Sequence, residues 1–293
     1  MSMHQTPGQK FREAIRQQNP LSIVGTINAY TAMMATRIGH QAIYLSGAGC
    51  ANFSYGLPDL GMTSLNDVVE DARRITSAVP TPLLVDIDTG WGGSFNIART
   101  IGEMERAGVA AVHMEDQVSQ KRCGHRPNKE LVTAEEMIDR IKAAVDARID
   151  DSFFIMARTD AYAVEGMQGA MDRSAAYLEA GADGIFAEAM PALDDYRQLA
   201  AAMDAPLLAN LTEFGLTPPL TAGQLAECGV QLVLYPLTAA RAMNRAAEQI
   251  YRHLLVQGAP AERLDQLQTR DELYDYLGYL DYEKKLDQLF GQQ

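Results

Sequence analysis

The chain has 293 residues, 47% hydrophobic and 22% charged, a balance that supports a sizeable buried core and excludes disordered and collagen-like classes. With 38 acidic against 25 basic residues the formal net charge is -13, which argues against nucleic-acid or anionic-membrane partners, since both require a basic footprint. An anionic small molecule remains admissible only where positive charge is gathered locally. Three widely spaced cysteines, Cys50, Cys123 and Cys228, form neither a disulfide framework nor a CxxC metal site. Residues 1–16 hold no apolar run of the signal-peptide type, and no segment approaches ~18 uninterrupted apolar residues. A cytoplasmic protein is expected.

In chain order, eight short runs rich in Val, Ile and Leu recur at 22–27, 42–45, 82–86, 110–114, 153–157, 184–187, 206–209 and 231–235. Amphipathic stretches lie between them, among them 65–77, 94–107, 134–147, 168–180 and 193–203. Apolar runs alternating with helical patterns are the signature of βα units and of a parallel sheet buried on both faces. A weak repeat supports the count: Ile38-Gly39, Ala107-Gly108, Ala180-Gly181 and Cys228-Gly229 each close a helix just before a strand, where glycine takes the left-handed C-cap conformation at little cost. Thr81-Pro82-Leu83-Leu84 echoes Ala205-Pro206-Leu207-Leu208, with proline opening a strand. No GxGxxG follows the first run, which counts against a dinucleotide fold. The expected fold is α/β, a (β/α)8 TIM-type barrel, with 1–293 one domain and 260–293 a helical C-terminal extension. That extension carries Tyr274, Tyr276, Tyr279 and Tyr282 and packs either on its own subunit or on a neighbour.

In such a barrel the interior is packed solid and chemistry is assembled at the C-terminal ends of the strands. Polar residues stand there on almost every unit: Asn28, Ser46, Asp86 and Asp88, Glu115-Asp116, Arg158 and Asp160, Glu188, Asn210 with Thr212 and Glu213, and Tyr235-Pro236. Asp86 and Asp88, two apart on an extended segment, share one face. A strand-end aspartate often serves merely as a helix cap or ion-pair partner. Adding Glu115 from the adjacent strand makes three carboxylates that repel unless a cation joins them, and an oxygen-only set favours Mg²⁺ or Mn²⁺ over zinc.

Residues 117–131 form a long βα connection of the kind that makes a lid, and they carry Lys121-Arg122-Cys123-Gly124-His125-Arg126. A thiol flanked by three cations and a histidine is expected to have a depressed pKa. A zinc site at Cys123 and His125 lacks a second Cys/His pair, and a Cys-His hydrolase lacks an orienting third residue and leaves the carboxylates unexplained.

Lys121-Arg122-Cys123-Gly124-His125 matches the KRCGH/KKCGH signature of the isocitrate lyase superfamily, and nearly the whole chain resembles its methylisocitrate lyase branch. Supporting segments include Gly56-Leu57-Pro58-Asp59-Leu60-Gly61, Val85-Asp86-Ile87-Asp88-Thr89-Gly90, Ala157-Arg158-Thr159-Asp160 and Asn210-Leu211-Thr212-Glu213-Phe214-Gly215. Isocitrate lyases proper are longer. The resemblance implies Mg²⁺-dependent (or Mn²⁺-dependent) retro-aldol cleavage of (2S,3R)-2-methylisocitrate, a tricarboxylate, to pyruvate and succinate in propionate catabolism. It implies Asp86, Asp88 and Glu115 at the metal, and Ser46, Gly47 and Ala48 with Arg158 around the pyruvate end. Glu188, Asn210, Thr212, Arg241 and Arg270 fall around the other carboxylates, with Asp59, Gly124, Leu211 and Pro236 also at the substrate. Cys123 would protonate the carbanion, with Lys121 and His125 beside it, and Tyr44 is the first choice as base, ahead of a metal-bound hydroxide. The cationic neighbours of Cys123 favour thiolate, whereas an acid must carry its proton. The family further implies a homotetramer, a dimer of dimers with exchanged helices. Tyr30-Thr31 stands where Asn-His is common, a departure shared with related mutases and decarboxylases. Another 2-hydroxy or 2-oxo diacid lyase on the same barrel, or a non-catalytic scaffold, are the alternatives. The charge balance is expected to be met by Arg158, Arg241, Arg270, Lys121 and the metal gathering positive charge at the barrel mouth.

Overall fold

Eight parallel strands, each four to six residues long, close on themselves in sequence order: β1 Leu21–Gly25, β2 Ala42–Leu45, β3 Leu83–Asp86, β4 Ala111–Glu115, β5 Phe154–Thr159, β6 Gly184–Ala187, β7 Leu207–Asn210 and β8 Leu232–Tyr235. The computed structural model describes residues 5–291, which divide into two compact units at Ala240/Arg241. In the first unit the barrel closes by β8 pairing with β1, with Ser22 opposite Val233. All eight expected strands are present, two with the expected ends and the rest shifted by one or two residues. Pro82 and Pro206 fall just outside β3 and β7, because a residue without an N–H cannot donate to the ladder; their carbonyls still accept from Ile43 and Ile185 at 3.1 and 2.9 Å.

The strand period of two separates interior from exterior. Leu21, Ile23, Ala42, Tyr44, Leu84, Ala111, Phe154, Met156, Phe186, Leu208, Leu232 and Leu234 fill the barrel. The alternate residues, such as Ile43, Val85, Val112, Ile155, Ile185 and Val233, lie under the helices. Those helices are α2 Ala29–Ile38, α4 Leu65–Ala78, α5 Ser94–Arg106, α6 Ala134–Ala147, α7 Tyr162–Glu179, α8 Leu193–Ala201 and α9 Ala222–Glu227. A single helical turn, α3 Gly47–Gly49, and a π-helical turn, Cys50–Ser54, follow β2. The helix expected at 168–180 begins earlier, at Tyr162, and breaks at Gly166, whose φ is 75°. Gly39, Gly108, Gly181 and Gly229 take φ of 111°, 76°, 106° and 87°, as the repeated helix-end signal requires.

Before β1 a helix without a counterpart in the sequence reading, α1 Pro7–Gln17, plugs the N-terminal end of the barrel. Phe11 meets Phe154 edge-on with ring centroids 5.4 Å apart. Arg12 donates to the Ser152 carbonyl at 2.8 Å and pairs with Asp183 at 2.7 Å, so the plug is pinned by charge as well as by burial.

The second unit takes in most of α10 Thr238–Gln257, a 3-10 turn at Ala261–Gln266, α11 Arg270–Leu277 and α12 Tyr279–Phe290. Thr269 and Glu272 form a capping box, Gly278 makes the left-handed break between α11 and α12, and Tyr274 stacks on Tyr279 with centroids 4.1 Å apart. The expected extension from 260 lies within this unit. Its helices leave Tyr282, Leu286, Leu289 and Phe290 exposed.

Candidate active site

The inward phase set by the apolar residues continues to the C-terminal ends of the strands, and there it delivers polar groups. On β3 Leu84 is followed by Asp86, on β4 Ala111 by His113 and Glu115, on β5 Phe154 and Met156 by Arg158, and on β7 Leu208 by Asn210. Glu188 continues the phase of Phe186 one residue past β6. Parallel registry makes neighbours of Asp86 and His113, and of Glu115 and Arg158. The site is thus the last layer of a barrel interior whose lower layers are hydrocarbon.

Asp86 and Asp88 converge beside Gly47. A Cβ placed on Gly47 would lie 3.0 Å from Asp86 Oδ2 and 3.0 Å from Asp88 Oδ1, so glycine leaves open a point common to both oxygens. Gly47 N–H donates to Asp86 Oδ2 at 3.2 Å, and Asp88 N–H to Asp86 Oδ1 at 3.0 Å. Asp88 turns inward through a left-handed backbone, φ 46°, a strained conformation for a non-glycine residue at the mouth. Glu115 is buried and neither of its oxygens has a hydrogen-bond partner; Arg158 Nη1 lies 3.2 Å from Oε2. Burial pushes Asp88 up to about 6 and Glu115 well above the usual carboxylate range. Asp86 stays below that range: burial raises it, but the Lys121 and Arg158 charges and the Asp88 N–H outweigh burial.

These observations fit a hard divalent cation. Two buried carboxylates whose oxygens meet at one open point, together with the donorless oxygens of buried Glu115, are what such an ion neutralises. Among the described residues no three His, Cys, Asp or Glu side chains close into a complete cage. Mg²⁺ characteristically keeps several waters and needs few protein ligands.

Arg158 organises the far wall. Its Nε donates to Asp160 Oδ2 at 3.0 Å, and Nη2 lies 3.4 Å from Glu188 Oε2. Asn210 Nδ2 donates to Glu188 Oε1 at 3.3 Å, and His125 Nε2 approaches the same oxygen at 2.8 Å. Burial alone would raise Glu188, but Arg158 and His125 hold it well below the usual carboxylate range. Leu216 N–H donates to His125 Nδ1 at 2.9 Å, tying the lid to the loop after β7.

The lid is closed at its base by a bridge between Gln117 and Leu131 and threaded by the Gln117 side chain, which accepts from Arg122 N–H and donates to Arg122 O. Lys121 is buried between Asp59 and Asp88, at 2.7 and 2.5 Å. Gly124 lies against the wall: a Cβ there would stand 2.3 Å from Glu188 Cγ and 2.4 Å from Arg158 Nη2, so only glycine allows this approach.

Two sequence-based expectations are corrected. Cys123 is exposed on the lid, yet desolvation by the lid raises its thiol above the ordinary value, ahead of the lowering effect of the His125 N–H. Of its cationic neighbours, Lys121 is committed to Asp59 and Asp88, His125 approaches Glu188, and Arg122 and Arg126 are exposed. The thiol therefore keeps its proton, which removes the conflict with an acid role. Tyr44, in turn, is a poor base acting alone. It is buried, burial pushes its phenol well above 10, and its hydroxyl shares a 2.9 Å hydrogen bond with His113 Nε2. Burial also holds His113 down to about 4, hence neutral, with Nδ1 3.8 Å from Asp86 Oδ1.

Ser46, Gly47 and Ala48 form the turn above β2, with Ser46 buried. Leu211 and Thr212 follow β7, and Pro236 follows β8, where its carbonyl leaves no room for a side chain on Gly25. Arg241 opens the second unit and Arg270 begins its helix α11. Within the first unit Lys121, Lys129 and Arg158 face Asp59, Asp86, Asp88, Glu115, Asp160 and Glu188, so the expected positive charge at the mouth rests on Arg241, Arg270 and the metal. His113 was missed as a site residue, and Asp160, named among the strand-end polar groups, was given no role. A histidine in the inward phase of an otherwise apolar strand was the available signal for the first.

A parallel barrel with buried carboxylates at its C-terminal mouth, under a cysteine-bearing lid, defines a (β/α)8-barrel enzyme acting on a small molecule. The family Phosphoenolpyruvate phosphomutase matches residues 11–255. The chain is 64% identical to 2-methylisocitrate lyase of Vibrio cholerae, over 99% of this chain and 96% of that one, and 56% identical to 2-methylisocitrate lyase of Escherichia coli, over 99% and 98%. Among solved structures, 2,3-dimethylmalate lyase superposes with a TM-score of 0.90 at 35% identity, covering 99% of this chain and 97% of that one. Phosphonopyruvate hydrolase in complex with oxalate and Mg²⁺ superposes at 0.85 with 29% identity, covering 99% and 100%. The chain belongs to the phosphoenolpyruvate mutase and isocitrate lyase superfamily.

Proposed function

We infer that this barrel is a carbon–carbon lyase that splits 2-methylisocitrate into pyruvate and succinate, consistent with its full-length similarity to lyases of that name. The observation that carries the reading is the open, carboxylate-lined point beside Gly47, over which the Cys123-bearing lid is held by Lys121 on Asp88 and His125 on Glu188. Asp86 and Asp88, with Glu115 through water, would hold Mg²⁺ or Mn²⁺, which supplies Lewis-acid stabilisation of negative charge at the C2 oxygen. Arg158, with the Ser46–Ala48 turn, binds the pyruvate end. Asn210, Thr212 and the Glu188–His125 pair orient the succinate end, and Tyr44, fixed on His113, orients the C2 hydroxyl. As C2–C3 breaks, the C2 hydroxyl proton passes through Tyr44 to the neutral His113 Nε2 and the C2 oxygen becomes the pyruvate carbonyl, while the electron pair left on C3 takes the proton of Cys123; the closed lid keeps water from competing. Arg241 and Arg270 enter this reading from the resemblance alone.

By the resemblance, Leu234 and Pro236 stand where the family leaves room for the 2-methyl group. A methyl-sized difference is worth about 1 to 3 kcal/mol, so isocitrate is cleaved about 10- to 200-fold more slowly. Among the described residues no helix is long and apolar enough to cross a membrane; the exposed apolar residues of α11 and α12 favour packing against another subunit, and the homotetramer with exchanged helices and the cytoplasmic location come from the resemblance. The likeness to 2,3-dimethylmalate lyase favours, as second reading, a lyase for another branched diacid. One coupled assay of pyruvate release decides between them, run on 2-methylisocitrate, isocitrate, 2,3-dimethylmalate and oxaloacetate with and without EDTA. Fast, EDTA-sensitive release from 2-methylisocitrate is expected; a clear preference for 2,3-dimethylmalate overturns the first reading.

A further inference from the structure

Lys129 stands at the far end of the lid from the signature cysteine, and its sequence position gives no hint of a role. Its ammonium is buried and reaches two acceptors: the carbonyl of Gly124 at 2.7 Å and Asp160 Oδ1 at 2.7 Å. The first belongs to the turn that carries Cys123, itself closed by Arg126 N–H donating to Cys123 O at 2.8 Å. The second belongs to the barrel, and Asp160 is also the carboxylate that holds Arg158 through Nε. One side chain therefore spans from the peptide beside the acid to the group that orients the arginine.

We propose that Lys129 is the latch of the lid, a positioning residue that sets Cys123 and Arg158 in register through the shared carboxylate of Asp160. This rests on the reading of Cys123 as the acid. The base of the lid is held by the Gln117–Leu131 bridge, and Lys121 and His125 anchor its tip to Asp59, Asp88 and Glu188, groups that a bound substrate and cation also engage. Lys129 instead ties the tip, through the Gly124 carbonyl, to Asp160, a carboxylate outside the Asp86–Asp88 pair. Its two hydrogen bonds are charge-assisted and shielded from water, the setting in which such bonds are strongest. An ångström of freedom in the thiol is enough to cost two orders of magnitude in rate.

The test is Lys129→Met in the full chain, which keeps the apolar stem and removes both bonds. Expected are a fall in kcat of about 10²-fold with KM changed by less than about threefold, and faster amide hydrogen exchange in residues 117–131 of the free enzyme with β4 and β5 unchanged. Lys129→Gln, which keeps a donor for one acceptor, is expected to fall between wild type and Lys129→Met and guards against a misfolded variant. A kcat within twofold of wild type overturns the proposal, as does unchanged lid exchange. Faster exchange spread through β5 and α7 also overturns it, because Lys129 would then be only the counter-ion that Asp160 needs to fold. Lid exchange is read without substrate, so it stands apart from the choice of substrate: a wild-type enzyme silent on 2-methylisocitrate sinks the functional reading while leaving the latch measurable.

Discussion

Towards the N-terminal end of the barrel, where Phe11 plugs it, the interior is Leu84, Ala111, Phe154 and Leu208; two to four residues further along the same strands it is Asp86, His113, Glu115, Arg158 and Asn210. Both layers are buried to a similar degree and both follow the same inward phase, yet they do opposite things to the folded state. The lower layer removes hydrocarbon from water, at about 25 cal/mol per Å². The upper layer takes charges out of water and recovers that cost only in part through Arg158, Lys121 and Lys129. The barrel is held together at one end and carries its chemistry at the other, so stability and turnover are separable by position along a strand.

The sharpest break of that separation is Arg158→Met. It leaves Glu115, Asp160 and Glu188 with an uncompensated buried charge, so a loss of about 3–5 kcal/mol in urea unfolding is expected together with loss of measurable turnover. Folding at wild-type stability would show the mouth to be better solvated than its burial implies. Next, Cys123→Ser is expected to lower kcat about 10³-fold while leaving Tm within about 2 °C, because the side chain is exposed and makes no core contact. A comparable loss of Tm would place the lid in the stabilising half of the molecule. The mirror case is Phe154→Ala at the plug: a cavity cost of about 3 kcal/mol with kcat within about twofold of wild type, measured by thermal melting and the pyruvate assay. A large fall in kcat would mean that the two layers are mechanically coupled.

The smallest effect is in pH. Because desolvation raises the Cys123 thiol, the protonated acid is present below its pKa and is lost only as pH rises through it. The alkaline limb of kcat is therefore expected above the ordinary thiol value of about 8.5. Alkylation by iodoacetamide reports the same titration, since Cys50 and Cys228 are buried. A limb near pH 6 to 7 would restore the cationic environment that the lid sequence suggested.

The lid shows why part of the site was legible and part was not. Lys121, Cys123 and His125 were readable because a motif concentrates them in five residues. Their electrostatic state was not, because the partners that neutralise Lys121 and His125 are Asp59, Asp88 and Glu188, which lie on other connections. His113 was hidden for the opposite reason: one polar residue in an apolar strand is indistinguishable from a satisfied core histidine until Tyr44 is seen 2.9 Å away. The surplus of carboxylates over cations at the mouth likewise emerges only from the closed barrel.

The sequence by itself determined the eight βα units, the strand phase and the residues that the phase turns inward, because periodicity and helix-end glycines are local properties of the chain. It also determined the family, through a motif that local spacing preserves. Tertiary structure decided which of those residues meet and which are charged. Closing β8 onto β1 brings groups from distant units within 3 Å and strips them of water, and pKa values and ion pairing follow from that proximity and desolvation rather than from neighbours in sequence.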